Sequence, residues 1–174
     1  MEKLASILTV YIALFLCIMF GVYDTRADTI ISIDKTSLRL MVISETDTIF
    51  CAPVCVGLNK GDKEQIGDNR TPEGKFTISQ VQDSKKWKHD FKDGNGVRIG
   101  AYGPWFIRIK TPLWSTIGIH GTCFPESIGT RASEGCIRLS NEDLIRLMPL
   151  VWIGMPVIIH PDLENKQTNQ QNGT

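Results

Sequence analysis

Thr29-Ile-Ile-Ser-Ile-Asp34, Leu38-Arg-Leu-Met-Val-Ile43 and Ile49-Phe-Cys-Ala-Pro-Val-Cys-Val56 follow one another with little between them. Asp34-Lys-Thr-Ser37 and Glu45-Thr-Asp47 are turn-forming spacers. Short β-branched runs broken by polar turns predict consecutive strands rather than helices. Pro53 predicts an edge or a bulge in the third strand, because proline donates no ladder hydrogen bond. Further strands are predicted at Lys75-Phe-Thr-Ile-Ser79, Pro104-Trp-Phe-Ile-Arg-Ile-Lys110, Thr116-Ile-Gly-Ile119 and Gly154-Met-Pro-Val-Ile-Ile-His160. Gly57 to Gly74 is rich in Gly, Asp, Asn and Pro and predicts a long ordered loop. Residues 80–100 are polar with aromatic punctuation at Trp87 and Phe91, the composition of a flap. One helix is predicted. Ser140-Asn-Glu-Asp143 has capping-box spacing, Asp143-Leu-Ile-Arg-Leu-Met148 follows, and Pro149 limits it. The fold class is therefore mainly β, a sandwich or barrel with one short helix in the C-terminal half.

The ends of the chain read differently. Lys3 precedes an almost wholly apolar run from Leu4 to Val22, closed by Asp24 and Arg26. Thr25-Arg26-Ala27 offers small residues where a signal peptidase reads them. The run is long for a signal peptide and just long enough for a bilayer, so residues 1–27 are a cleaved signal or an uncleaved anchor. Both place the following domain in an extracytoplasmic cell envelope, periplasm or wall. Residues 163–174 form a Gln- and Asn-rich tail with the composition of disorder. Residues 28–162, roughly 135 of them, suit one domain. Nineteen basic side chains balance nineteen acidic ones without a basic stripe, which argues against nucleic acid. A monomer is expected.

The chemistry concentrates in Ile119-His-Gly-Thr-Cys-Phe-Pro-Glu-Ser-Ile-Gly-Thr-Arg-Ala-Ser-Glu-Gly-Cys-Ile-Arg-Leu139. Cys136 is the candidate nucleophile, because a thiolate beside an imidazole or a cation attacks acyl carbons. His120, at a strand end before Gly121, is the candidate general base and acid. Arg138 shares the face of Cys136 on an extended segment and suits a substrate carboxylate. Gly135 allows unusual dihedrals, and its amide and that of Cys136 are candidate oxyanion donors. Ser133 is expected to orient the loop or bond substrate. His89 and His160 read as structural or exposed. Cys51 and Cys55 lie about 13 Å apart along an extended chain, too far for a mutual disulfide, and each reads as a small buried apolar residue. His120, Cys123 and Cys136 resemble zinc ligands by type, but no fourth ligand stands at a familiar spacing. No metal or other cofactor is expected. Cys123 reads as an inert thiol or a disulfide partner of Cys136.

The sequence His120-Gly-Thr122 followed by Ser133-Glu-Gly-Cys-Ile-Arg138 resembles the YkuD-type L,D-transpeptidase catalytic domain. Gly67-Asp-Asn-Arg-Thr-Pro-Glu-Gly74 running into Lys75-Phe-Thr-Ile78 resembles a second segment of that domain. The resemblance spans about Thr29 to Pro161. It implies a β-rich enzyme acting on peptidoglycan stem peptides. Cys136 would attack the bond between the diamino acid and D-Ala of a tetrapeptide stem and form a thioester. An amine would then receive the acyl group as a 3→3 crosslink, or water would hydrolyse it in L,D-carboxypeptidase fashion. His120 and Arg138 match the motif's base and arginine, and Gly121, beside the histidine, is expected with Ser133, Gly135 and Arg138 at the substrate or oxyanion subsite. Glu134 stands where many members carry His, and a carboxylate there disfavours the thiolate. No separate peptidoglycan-binding segment is expected, so substrate capture would rest on the catalytic domain or on membrane tethering. A sortase-like cysteine transpeptidase and a non-catalytic peptidoglycan-binding module are the competing readings. The short His-to-Cys spacing argues against the first, and Glu134 favours the second.

Overall fold

The computed structural model describes residues 28–163. The expected signal or anchor at residues 1–27 and residues 164–174 of the expected tail lie outside the described residues. Among the described residues no helix is long and apolar enough to cross a membrane.

Alternation of buried and solvated side chains builds the first strands. β1 (Thr29–Asp34) buries Ile31 and Ile33, and β2 (Arg39–Ser44) buries Leu40 and Val42. They pair antiparallel with Ile33 opposite Leu40. β3 (Asp47–Pro53) pairs with β2 and forms one edge of the sheet, as Pro53 requires. Here one expectation is corrected. Cys55 is buried, but Cys51 is exposed, because period-two alternation on β3 turns Phe50 and Ala52 inward and Cys51 outward. Cys51, Cys55, Cys123 and Cys136 are all free thiols.

β5 (Gly74–Asp83), β8 (Trp105–Lys110), β9 (Gly118–His120), β11 (Ile137–Arg138) and β12 (Pro156–His160) complete an eight-stranded sheet in the order β11-β9-β8-β5-β12-β1-β2-β3. Twist over this many strands curls it into a half-barrel. Most neighbours are antiparallel; β1–β12 and β9–β11 are parallel. β4 (Val56–Gly57) and β10 (Arg131–Ser133) form a separate parallel pair, and β6 (Lys88–Asp90) and β7 (Val97–Ile99) form a hairpin within the predicted flap. The strands β10 and β11 are too short and too rich in small or polar residues to stand out in the sequence.

α1 (Asn141–Leu147) begins where capping predicts: Ser140 Oγ accepts from the Asp143 amide at 3.0 Å and donates to its carboxylate at 2.8 Å. Pro149 ends it in a single 3₁₀ turn, Met148–Leu150. Leu144 and Leu147 are fully buried in a core shared with Ile31, Ile107, Ile119 and Ile137.

The loop between β4 and β5 is organised around Asp68. Its carboxylate accepts from Lys63 Nζ at 2.6 Å and from the amides of Glu64, Gln65 and Arg70. Burial works against this charge, but the bonds from Lys63 and the three amides outweigh it and hold the carboxyl well below its usual range.

Candidate active site

The short parallel pair β9–β11 sets the site. Ile137 lies opposite Ile119 and Arg138 opposite His120, and the Leu139 amide donates to the His120 carbonyl at 2.8 Å. The two isoleucines are fully buried in the core, while His120 and Arg138 line the cavity on the other side. On its far side Arg138 exchanges both backbone bonds with Cys55, at 2.8 and 2.9 Å. The segment that follows the thiol is thus held from both flanks. Cys136, immediately before β11, opens into the same cavity of about 930 Å³ as His120, Ser133 and Arg138.

The imidazole of His120 is almost fully buried. Phe106 stacks on it with centroids 5.4 Å apart and an interplanar angle of 10°, and Tyr102 meets it edge-on at 4.9 Å. Its Nδ1 lies 2.6 Å from the Gly121 carbonyl oxygen. A carbonyl only accepts, so Nδ1 carries the proton and the lone pair sits on Nε2. Burial in this aromatic box pulls the imidazole down to about 3; the Gly121 bond works the other way, and the charges of Arg138 and His89 add to the fall. His120 is therefore a neutral imidazole throughout the ordinary pH range.

Cys136 is half-buried and donates from Sγ to the Thr116 carbonyl at 3.5 Å. Burial pushes the thiol up. The Gly118 amide and the Arg138 charge pull it down, and the Glu134 carboxylate pushes it further up. The resting pair is consequently a thiol with a neutral imidazole, the protonation state in which a base can take the proton as attack occurs.

Three small residues make the arrangement possible. Gly121 packs against Gly103, where an added Cβ would lie 2.9 Å from the Gly103 Cα and overlap Asn141 Oδ1. That same oxygen accepts from the Thr122 amide at 2.9 Å, so the helix start anchors the segment behind His120. Gly135 has φ +129°, and an added Cβ would lie 2.7 Å from the Arg70 carbonyl oxygen. The Asp68 loop therefore touches the thiol loop at this glycine. Ser133, buried, donates to the Cys136 carbonyl at 2.6 Å and accepts from the Gly135 amide at 3.1 Å. The Gly135 amide, an expected oxyanion donor, is thereby engaged within its own loop.

Arg138 is buried and opens on the cavity, its guanidinium over the Phe91 ring at 5.3 Å. No ion pair holds it among the described residues. Cys123 is exposed and His160 bonds Ser32 Oγ at 2.9 Å, away from the cavity residues.

Several cavity residues carry no local signal in the sequence. Tyr102, Phe106, Trp87 and Trp114 line the wall, and His89 reaches in from the β6–β7 hairpin. The aromatic punctuation of residues 80–100 hinted only at Trp87. Their convergence depends on β8 lying beside β9.

A family model described as YkuD, L,D-transpeptidase catalytic domain, matches residues 28–159. A Bacillus subtilis (strain 168) protein named as an L,D-transpeptidase, YqjB, is 25% identical over 158 residues, 85% of each chain. Among solved structures, the helical cell shape determining protein Pgp2 of Campylobacter jejuni superposes with TM-score 0.56 at 22% identity, covering 78% of this chain and 48% of that one. L,D-transpeptidase 3 of Mycobacterium tuberculosis, in complex with a faropenem-derived adduct, gives TM-score 0.57 at 19% identity, covering 76% and 60%. The chain thus spans about half to three-fifths of these solved chains, and the likeness to them is one of fold.

Proposed function

This chain belongs to the YkuD family of L,D-transpeptidase catalytic domains, and from that premise we propose that it is a peptidoglycan L,D-transpeptidase working through Cys136. The observation that carries the reading is the opening of a thiol, a neutral imidazole and a guanidinium without an ion pair among the described residues into one cavity.

The donor is a tetrapeptide stem. Its terminal carboxylate is met by Arg138, the one buried cation at the site without an ion-pair partner among the described residues. As Cys136 Sγ attacks the carbonyl between the diamino acid and D-Ala, its proton passes to His120 Nε2. The Cys136 amide stabilises the developing oxyanion. His120 returns the proton to the departing D-Ala nitrogen, which leaves a thioester on Cys136. An acceptor amine then gives its proton to His120, attacks the thioester and releases the thiol, making a 3→3 crosslink. Water in place of the amine gives the tripeptide instead. Ser133 keeps the thiol loop in register through the whole cycle. The stem peptide sits outside the cytoplasm, which agrees with residues 1–27 serving as a signal or an anchor. The protein acts as a monomer.

Glu134, the feature that favoured a non-catalytic module, leaves both reacting groups open to the cavity. Its carboxylate is turned to His89 at 3.0 Å.

The test compares the reduced protein with Cys136→Ala on a disaccharide-tetrapeptide containing meso-diaminopimelate, read by mass spectrometry. Loss of one alanine with dimer formation, in the wild type alone, is expected. Loss of alanine without dimer assigns hydrolysis. Turnover by both proteins, or by neither with binding retained, would overturn the assignment of Cys136.

A further inference from the structure

One polar chain at the cavity rim is used by none of the steps above. Glu134 Oε2 lies 3.0 Å from His89 Nε2, and His89 Nδ1 lies 3.1 Å from Tyr102 Oη. The protons can be placed. A carboxylate only accepts, so His89 donates from Nε2 to Glu134, and its Nδ1 lone pair accepts the Tyr102 hydroxyl proton. Burial, reinforced by the Glu134 carboxylate and only partly offset by Arg138, keeps the Tyr102 phenol above its ordinary value, so it stays a donor. Protonation of His89 would reverse the Tyr102 bond and keep both contacts. The chain therefore holds in either state of the imidazole.

An exposed ion pair by itself is worth little, and Glu134 is 57% exposed. The importance lies in what His89 carries. It belongs to the β6–β7 hairpin, which has three paired residues on each strand and, among the described residues, hydrogen-bonds as a ladder to no other strand. A lone two-stranded ribbon is marginal in water and needs ties to the body. One tie is aromatic, with Phe91 against Phe124 at 5.0 Å and Arg98 over the same ring at 4.8 Å. A polar tie is the Glu134–His89–Tyr102 chain. His89 meets Phe91 edge-on at 4.5 Å, and Phe91 underlies the Arg138 guanidinium at 5.3 Å. The contacts thus run from the residue two before the thiol, through the hairpin, to the group that receives the donor carboxylate.

We propose that Glu134 and His89 are a positioning pair that latches the β6–β7 hairpin onto the thiol loop and thereby holds Phe91 beneath Arg138, setting affinity for an anionic acyl donor. This deepens the transpeptidase reading of Cys136 and rests on it for the donor, while the latch itself is a physical contact measurable without turnover.

The test uses the full chain with His89→Ala, Glu134→Ala, Glu134→Gln and the double alanine variant. His89→Ala is the informative single change, because it keeps the carboxylate beside the thiol while it removes the imidazole that carries the latch and its ring contact with Phe91. The probes are faropenem, which carries a carboxylate, for acylation of Cys136, and neutral iodoacetamide for its alkylation. Hydrogen–deuterium exchange is followed at residues 88–99. In His89→Ala the half-saturating faropenem concentration should rise about tenfold with the limiting rate little changed, and amides 88–99 should exchange about tenfold faster. Iodoacetamide should alkylate His89→Ala at the wild-type rate. The double variant should match the His89 single variant in half-saturation and in exchange, and Glu134→Gln, which still accepts from Nε2, should lie between Glu134→Ala and wild type. Unchanged exchange at 88–99 in His89→Ala overturns the latch. So do single effects that multiply in the double variant, or an alkylation rate that falls in step with acylation. If wild type forms no faropenem adduct the acyl-transfer reading fails, and exchange still decides the latch.

Discussion

At His120 two neighbours assign the imidazole its part. The Gly121 carbonyl fixes the proton on Nδ1, and the Phe106 and Tyr102 rings strip the ring of water. A buried neutral imidazole also ties stability to pH. Its folded value, about 3, lies below the ordinary value of about 6.5, so the unfolded chain binds the extra proton between those limits. The stabilising contribution is complete above the upper limit and is lost as pH falls towards the lower one. Between pH 7 and pH 5 this one residue should cost about 2 kcal/mol of unfolding free energy. Urea denaturation of wild type and His120→Asn across that interval is the check. The variant should lose correspondingly less, and parallel curves would show that His120 titrates as it does in the unfolded chain.

The thiol loop and the Asp68 loop form one structural element, although some sixty residues of chain separate them. Asp68 gathers Lys63 and three amides, which presents the Arg70 carbonyl to Gly135, whose φ of +129° admits no ordinary side chain without strain. Two motifs that look independent in the sequence are therefore one contact in space. Gly135→Ala combines an unfavourable dihedral with a Cβ 2.7 Å from a backbone oxygen that cannot swing aside. It should destabilise by about 2–4 kcal/mol and displace the Ser133–Cys136 bond, so that acylation falls more than stability alone accounts for. Denaturation midpoints beside acylation rates under native conditions test this. A variant of wild-type stability and rate would mean that the two loops separate freely.

Across the whole molecule, distant segments around the curled sheet are tied together by a charge cluster whose residues do not line the cavity. Lys35 is fully buried, with Nζ 2.5 Å from Glu73, 3.3 Å from Asp162 and 2.8 Å from the Gly61 carbonyl. Arg131 also pairs with Asp162 and donates to the Lys35 carbonyl. The cluster joins the β1–β2 turn, the Asp68 loop, β10 and the chain after β12. Lys35→Met leaves Glu73 without its cation inside the protein and should cost about 3 kcal/mol, a fall in Tm of about 10 °C. Calorimetry decides it. A loss below about 1 kcal/mol would mean that water replaces the ammonium without penalty.

The division between sequence and tertiary structure follows from the range of the forces involved. Period-two burial, turn residues and the Ser140 cap act over a few neighbours, so the strands β1, β2, β8 and β12 and the single helix were legible within a residue or two. The candidates Cys136, His120 and Arg138 were legible too, because their types and spacing suit acyl transfer and resemble a known family. Strands β10 and β11 were not, since two or three residues acquire strand geometry only from partners such as Cys55 and His120 that lie far off in the chain. The outward face of Cys51 followed from a register that strand pairing sets. The neutrality of His120 comes from Phe106 and Tyr102, and the engagement of Glu134 from His89. Local propensity chose the elements and supplied the reactive groups; desolvation, charge and close packing between distant segments decided what state those groups are in.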